Sequence, residues 1–251
     1  MKHPRRVSAG AMQVAVLVML LLGMGRTSFG ATHHVYPDGS GNFATIQAAA
    51  NAANPGDVIV AHSGTYNERV TVTRAGTTSS PIVFQSEPRR TAKIRGFELN
   101  AANIHVKGFD ISCVSTGLGG CGVVIRKDGA WIDDCYIHDM MEKAILTYWS
   151  QPWPSNGKIT NNYCKNNGGG IEAKGTNWLV ENNEVDRLIQ KVTGLDVDYS
   201  RLHGSNITFR GNYFHGTNRS EIGTAHVDGF QTFDDGGSYL NNALLENNVV
   251  M

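Results

Sequence analysis

One short pattern recurs along the second half of the chain and limits its fold more than any other feature. An apolar-rich stretch leads into a polar pair and then returns to apolar residues. The copies are Trp131-Ile132-Asp133-Asp134-Cys135-Tyr136-Ile137, Ile159-Thr160-Asn161-Asn162-Tyr163-Cys164, Leu179-Val180-Glu181-Asn182-Asn183-Glu184-Val185, Ile207-Thr208-Phe209-Arg210-Gly211-Asn212-Tyr213-Phe214 and Leu244-Leu245-Glu246-Asn247-Asn248-Val249-Val250. Anchored on Cys135, Asn162, Asn183, Asn212 and Asn248, the steps are 27, 21, 29 and 36 residues. Each step fits one turn of a wide coil. Between copies lie Gly170-Ile171-Glu172-Ala173-Lys174, Gly194-Leu195-Asp196-Val197-Asp198 and Ala225-His226-Val227-Asp228-Gly229. They alternate apolar and polar residues, so one set of side chains can face a core and the other solvent. The expected fold is all-β, with successive coils stacked as parallel strands through right-handed crossovers. Asn at equivalent turns would form a ladder of side-chain amides. The competing arrangement, an antiparallel sandwich with scattered Asn, gives no reason for one dipeptide to return at these intervals.

The N-terminal part follows another grammar. Lys2, Arg5 and Arg6 precede the apolar run Ala11 to Met24, and Ser28-Phe29-Gly30 supplies small residues for a cut after Gly30. Residues 1–30 therefore read as a secretory signal peptide, too short in its apolar run for a spanning helix, and 31–251 as a single exported domain, extracellular or periplasmic. Removing the leader takes four basic residues and no acid from the 22 basic and 22 acidic in the chain, leaving 18 against 22. A mildly acidic surface without a basic run argues against a nucleic-acid partner. It fits a partner that is neutral, or anionic and bridged by a cation. The Ala-rich segment Thr45 to Ala53, stopped by Asn54-Pro55-Gly56, predicts one short helix that caps the first rung of the coil. At the other end the sequence stops inside a repeat at Met251. An open apolar rung there is expected to meet a partner or a missing segment. Of the four cysteines, Cys113 and Cys121 bracket a Gly-rich loop and are the candidate disulfide pair, while Cys135 and Cys164 read as small buried residues.

A resemblance sharpens these expectations. Tyr36-Pro37-Asp38-Gly39-Ser40-Gly41-Asn42-Phe43-Ala44-Thr45-Ile46-Gln47, then Pro55-Gly56-Asp57-Val58-Ile59-Val60 and Gly64-Thr65-Tyr66-Asn67-Glu68, resembles the opening of many secreted right-handed parallel β-helix proteins, polysaccharide lyases among them. The resemblance covers Val35 to about Ser112 closely and the remainder as repeat grammar. It implies the fold, a right-handed parallel β-helix with a short N-terminal capping helix, more firmly than an activity, because sites are grafted on folds. His226-Val227-Asp228-Gly229-Phe230-Gln231 is similar to the Asp-Asp-Gly-Phe-Asp calcium motif of family 9 pectate lyases, with Val227 and Gln231 where that family has acids. Lys174 followed by Arg201 is similar to the lysine and arginine that family 6 lyases place on successive rungs, with Glu172 standing for that family's pair of glutamates.

The chemistry to expect is β-elimination on a uronate-containing extracellular polysaccharide. Stacked in register, Glu172 and Lys174, Asp196 and Asp198, then His226 and Asp228 would share one groove. Asp196, Asp198 and Asp228 are the first candidates to hold calcium, with Glu172 or Asp234 in reserve, since calcium takes several oxygens from carboxylates, carbonyls and water. Solvated acids on a secreted sheet are the plainer reading. Lys174 or His226 would act as base with Arg201 beside it, a lysine base depending on the metal because neighbouring acids favour its charged form. His203 and Gln231 would contact substrate, and Tyr148, Trp149 and Trp153 either stack on sugar faces or fill a gap over the core. The alternatives are a glycoside hydrolase using Asp198 and Asp228, or a non-catalytic glycan-binding or surface module.

Overall fold

A computed structural model of the chain describes residues 30–234 and 239–251. The segment expected to be a signal peptide falls, except for Gly30, outside the described residues. Among the described residues seventeen strands, every pairing parallel, wind into a β-solenoid of about 7 turns. Each full turn contributes one short strand to each of three faces. The first face stacks Thr32–Val35, the start of Val58–Val72, the start of Ile82–Leu99, Ile104–Lys107, Trp131–Asp133 and Lys158–Thr160, then the ends of Gly169–Glu181 and Ser200–Arg210 and finally Asn241–Glu246. The second carries Asp110–Ser112, Tyr136–His138, Tyr163–Lys165, Glu184–Asp186, Tyr213–His215 and Val249–Val250. The third carries Val123–Ile125, Lys143–Thr147 and the starts of Gly169–Glu181 and Ser200–Arg210.

Parallel register places like residues over like. On the first face Ile59, Phe84, Val106, Ile132, Ile159, Val180 and Phe209 form one inward column, all fully buried. On the second, Ile94, Ile111, Ile137, Cys164, Val185 and Phe214 do the same. Each such side chain stabilises the coil by about 1.5–3 kcal/mol relative to exposure. Cys164 thus holds an aliphatic position in a column, and Cys135 lies in the turn below; burial pushes the Cys135 thiol up to about 12. All four cysteines are free, so the expected Cys113–Cys121 bridge is not formed. The 3-10 turn Gly117–Gly120 lies between them. The Cys113 thiol is directed at Ser115 Oγ, 3.4 Å away, and Cys121 packs with Val124 and Leu146.

The polar pairs of the repeat divide their work. The first member of each pair turns the chain from the first face to the second with positive φ: Asp134 at 54°, Asn161 at 59°, Asn182 at 55° and Asn247 at 54°, with Gly211 at 63°. Asn, Asp and Gly are the residues that enter this region at least cost. The second member points inward. Asn162, Asn183 and Asn212 are buried, and each Oδ1 accepts the backbone N–H and, above Cys135, the side-chain amide of the residue one rung below. Each Nδ2 donates to a carbonyl of the lower rung, Ile132, Ile159 and Val180 in turn. A second amide ladder, Asn156, Asn177, Asn206 and Asn242, runs along the solvent side of another corner.

The helix runs Ile46–Ala52, with the Thr45 hydroxyl accepting from Ala48 N at 3.0 Å and Glu68 accepting from Ile46 N and Gln47 N. Ile46, Ala49 and Ala50 cover the first rung. At the opposite end Leu244, Leu245, Val249 and Val250 are each about half exposed. Among the described residues no helix is long and apolar enough to cross a membrane.

Replacing Asn183 by Leu removes the side-chain partner of the Asn162 N–H and of the Ile159 carbonyl in the interior, while Asn212 Oδ1 keeps the backbone N–H of residue 183. At about 1–3 kcal/mol for each buried group left unpaired, the loss should be at least about 2 kcal/mol. Asn177→Gly, which keeps the positive φ on the exposed ladder, should cost under about 1 kcal/mol. Urea unfolding of the two variants checks both values; equal losses would show that the inner ladder adds nothing special.

Candidate functional site

The outward residues of the third face gather the chemistry. Within Gly169–Glu181, Ile171 and Ala173 point inward and Glu172 and Lys174 outward. On the next rung Arg201 stacks over Glu172 and His203 over Lys174. This differs from the expected register. Asp196 and Asp198 do not form a rung, because Val197 and Tyr199 are drawn into the core as a turn and the strand begins only at Ser200. Their alternation is that of a loop anchored at two apolar points. The segment Ala225 to Gly229 is likewise not a strand; one bridge, Arg201 to Gln231, extends the face past it. Gly175 and Gly204 end the two outward pairs with φ of 121° and 111°. A Cβ there would stand 2.0 Å from the Pro154 and Gly175 carbonyl oxygens, so each corner requires glycine.

Two ion clusters result. In the first, Glu172, only 3% exposed, lies between Lys174 Nζ at 3.2 Å and Lys143 Nζ at 3.4 Å. In the second, Arg201 Nε donates to Asp198 Oδ2 at 2.7 Å and its Nη2 lies 2.8 Å from Asp196 Oδ2. Burial opposes the charge on Arg201, but the hydrogen bond and charge of Asp198, with Glu172 and Asp196, outweigh it and hold the guanidinium above its ordinary value. Both clusters border a cleft of ≈ 340 Å³ whose lining includes Lys143, Glu172, Lys174, Asp196, Arg201 and Trp149. Trp149 is 52% exposed at its edge.

The remaining sequence candidates take different places. His226 stands outside this lining, its side chain 57% exposed, with ring nitrogens 3.6 Å from Asp196 Oδ1, 3.9 Å from Asp198 Oδ1 and 3.3 Å from Asp228 Oδ2. Gln231 Nε2 reaches both His226 Nε2 and Asp228 Oδ2. His203 is fully buried, its ring 4.5 Å from that of Phe233 and 6.3 Å from that of Trp153. Trp153 lies 5.7 Å from Lys174 Nζ and donates to the Trp149 carbonyl. Tyr148 faces away from this cleft and is covered by the Arg126 guanidinium at 3.6 Å. Lys143 was missed in the sequence, where nothing links it to Glu172 29 residues later. Only the rung-to-rung pairing of Lys143–Thr147 with Gly169–Glu181 joins them.

Asp196, Asp198 and His226 each bring a ligand atom within 4.8 Å of the others. Calcium wants six to eight oxygens. Asp196 Oδ1, Asp198 Oδ1 and Asp228 Oδ2 supply three around the imidazole, and Gln231 Oε1 beside them is buried with no hydrogen-bond partner. Carboxylate and amide oxygens are the donors calcium takes, so these residues fit the ion by their chemistry, with the exposed imidazole of His226 among them. Glu172, neutralised by two lysines, stands apart from them.

The model of the right handed beta helix region matches residues 95–251. No curated protein matches the chain in sequence. Among solved structures, pectate lyase Pel9A superposes with a TM-score of 0.62 at 16% identity, over 88% of this chain and 63% of that one. A rhamnogalacturonan lyase gives 0.56 at 16% identity over 87% and 68%, and pectin methylesterase PemA from Erwinia chrysanthemi 0.52 at 13% over 88% and 79%. The chain therefore spans somewhat less than two thirds of Pel9A, and identities this low carry the fold alone. The inward columns, the amide ladder and the matched region together show that the chain belongs to the family of right-handed β-helix proteins.

Proposed function

We propose that this protein is a secreted polysaccharide lyase that cleaves a uronate-containing glycan by β-elimination, with Lys174 as the base. The observation that carries this reading is the convergence of Lys143, Lys174 and Arg201 on one cleft edged by Trp149. A uronate carboxylate entering the cleft finds two fixed cations, Lys143 and Arg201, that attract it and stabilise the negative charge that develops when the adjacent carbon loses its proton. Lys174, once it has released its own proton to solvent, takes that proton. The electron pair left on carbon forms the new double bond as the bond to the β oxygen breaks, and that oxygen leaves with a proton from solvent or a neighbouring acid. Trp149 offers an apolar face and a polar edge to the sugar. Asp196, Asp198 and Asp228 would hold calcium, which when bound adds a further positive charge beside the carboxylate.

Two alternatives weigh less. A hydrolase needs two accessible carboxylates. Asp198 has a fully buried side chain whose oxygens serve Arg201 and the Asp228 N–H. A binding module draws support from the pairing of Lys174 with Glu172 at 3.2 Å, since an engaged lysine can hold a glycan carboxylate without removing a proton.

Lyase activity appears as ultraviolet absorbance of the conjugated unsaturated uronate when the protein is mixed with pectate, alginate or chondroitin. Lys174→Gln should lower the rate roughly 10²–10⁴-fold, whereas His226→Ala should leave most of it. Loss with His226→Ala but not Lys174→Gln would assign the base to the histidine. Silence with every polymer, using folded protein, would leave binding as the function.

Calcium should raise the unfolding temperature of the protein, as any ligand of the folded state does. Asp228→Asn should shrink that rise, and a chelator should slow product formation. An unfolding temperature indifferent to calcium would remove the metal from the proposal.

A further inference from the structure

The cleft at Lys174 has a neighbour on the same face. Parallel pairing aligns Ile125 with Thr147, and the ladder continues through the hydrogen bonds from Arg126 N to the Leu99 carbonyl and from Tyr148 N to the Ile125 carbonyl. Lys174 N then donates to Thr147 Oγ1. Arg126, Tyr148 and Lys174 therefore lie on consecutive rungs, and at about 4.8 Å per rung Arg126 is about 10 Å from Lys174 along the axis. Around Arg126 and Tyr148 opens a second cleft of ≈ 440 Å³, lined also by Glu98, Asn100, Lys127 and Ser150.

Three observations give this cleft a chemistry. Asn100 Oδ1 is buried and has no hydrogen-bond partner. A buried acceptor without a donor is costly, and a ligand hydroxyl supplies the donor it lacks. Arg126 is held between Glu98 at 2.8 Å and the Tyr148 ring at 3.6 Å, so its guanidinium is fixed in place, and Lys127 stands beside it. Finally, the aromatic pair of the insertion is shared between the two clefts: Tyr148 lines this one and Trp149 the other, their rings 5.2 Å apart.

Resting on the lyase reading above, we propose that the cleft of Asn100, Arg126 and Tyr148 is a distal glycan subsite, two rungs toward the N-terminus from Lys174. It takes an acidic sugar whose hydroxyl donates to Asn100 Oδ1 and whose carboxylate meets Arg126 and Lys127. The polysaccharide then lies along the coil axis, crossing the insertion between Tyr148 and Trp149. Affinity grows with chain length as both clefts fill.

Calorimetric titration of the protein with uronate dimers and hexamers prepared from pectate and from alginate tests this. A hexamer that spans both clefts should bind at least about tenfold more tightly than a dimer, which is too short to fill both, the worth of one charged and one neutral hydrogen bond. Asn100→Leu and, separately, Arg126→Leu should bring hexamer affinity down toward that of the dimer. Dimer and hexamer binding equally, or a hexamer advantage that survives both substitutions, overturns the subsite and leaves the Lys174 cleft standing. Binding of neither oligomer overturns both.

Discussion

Parallel stacking in strict register is the constraint on which the whole molecule depends. A coil whose rungs lie directly over one another forces each residue to have a near-copy of itself above and below. A favourable choice is then multiplied along the axis, and so is a mistake. The columns from Ile59 to Phe209 and from Ile94 to Phe214 are the apolar result. The ladder from Asn162 to Asn248 is the polar one. At the corners of Asn162, Asn183 and Asn212 an inward amide satisfies a backbone N–H and a carbonyl inside the protein.

The same constraint builds the candidate site. Outward residues on the third face are held at rung spacing, so a charged side chain has neighbours of fixed position and must be matched by them. Glu172 is matched by Lys143 and Lys174, and Arg201 by Asp196 and Asp198. Buried or half-buried ions arranged in this way cost much less than isolated ones, because each is paired and hydrogen-bonded. The face is consequently preorganised. Its cations keep their places without a ligand, which suits a site that must meet a charge as it forms. The loops that interrupt the repeat, Tyr148 to Pro154 and Arg187 to Tyr199, supply what regular rungs cannot: aromatic edges and carboxylates set off from the strand line.

What could be read in advance follows from these physical differences. The repeat, the capping helix and the paired polar residues were legible because each satisfies a local rule, whether an apolar period, a cap or a positive φ. The outward placement of Glu172 and Lys174 was legible because their strand alternates. Asp196 and Asp198 also alternate with apolar residues, yet they lie in a loop, since two buried anchors two residues apart look alike in a strand and in a turn. The pairing of Glu172 with Lys143, the cover that Arg126 gives Tyr148 and the burial of His203 left no mark in the sequence.

By itself the sequence determined the coil, the approximate length of each turn and the corner residues, because these are enforced by backbone geometry and burial within a few residues of where they act. Only the tertiary structure decided which charges meet. Contacts between residues roughly a rung apart in sequence depend on how many residues each intervening turn consumes, and here those turns vary from 21 to 36 residues. A difference of one residue in such a turn moves a side chain to the opposite face, so the register that pairs Lys143, Glu172 and Arg201 exists only once the rungs have stacked.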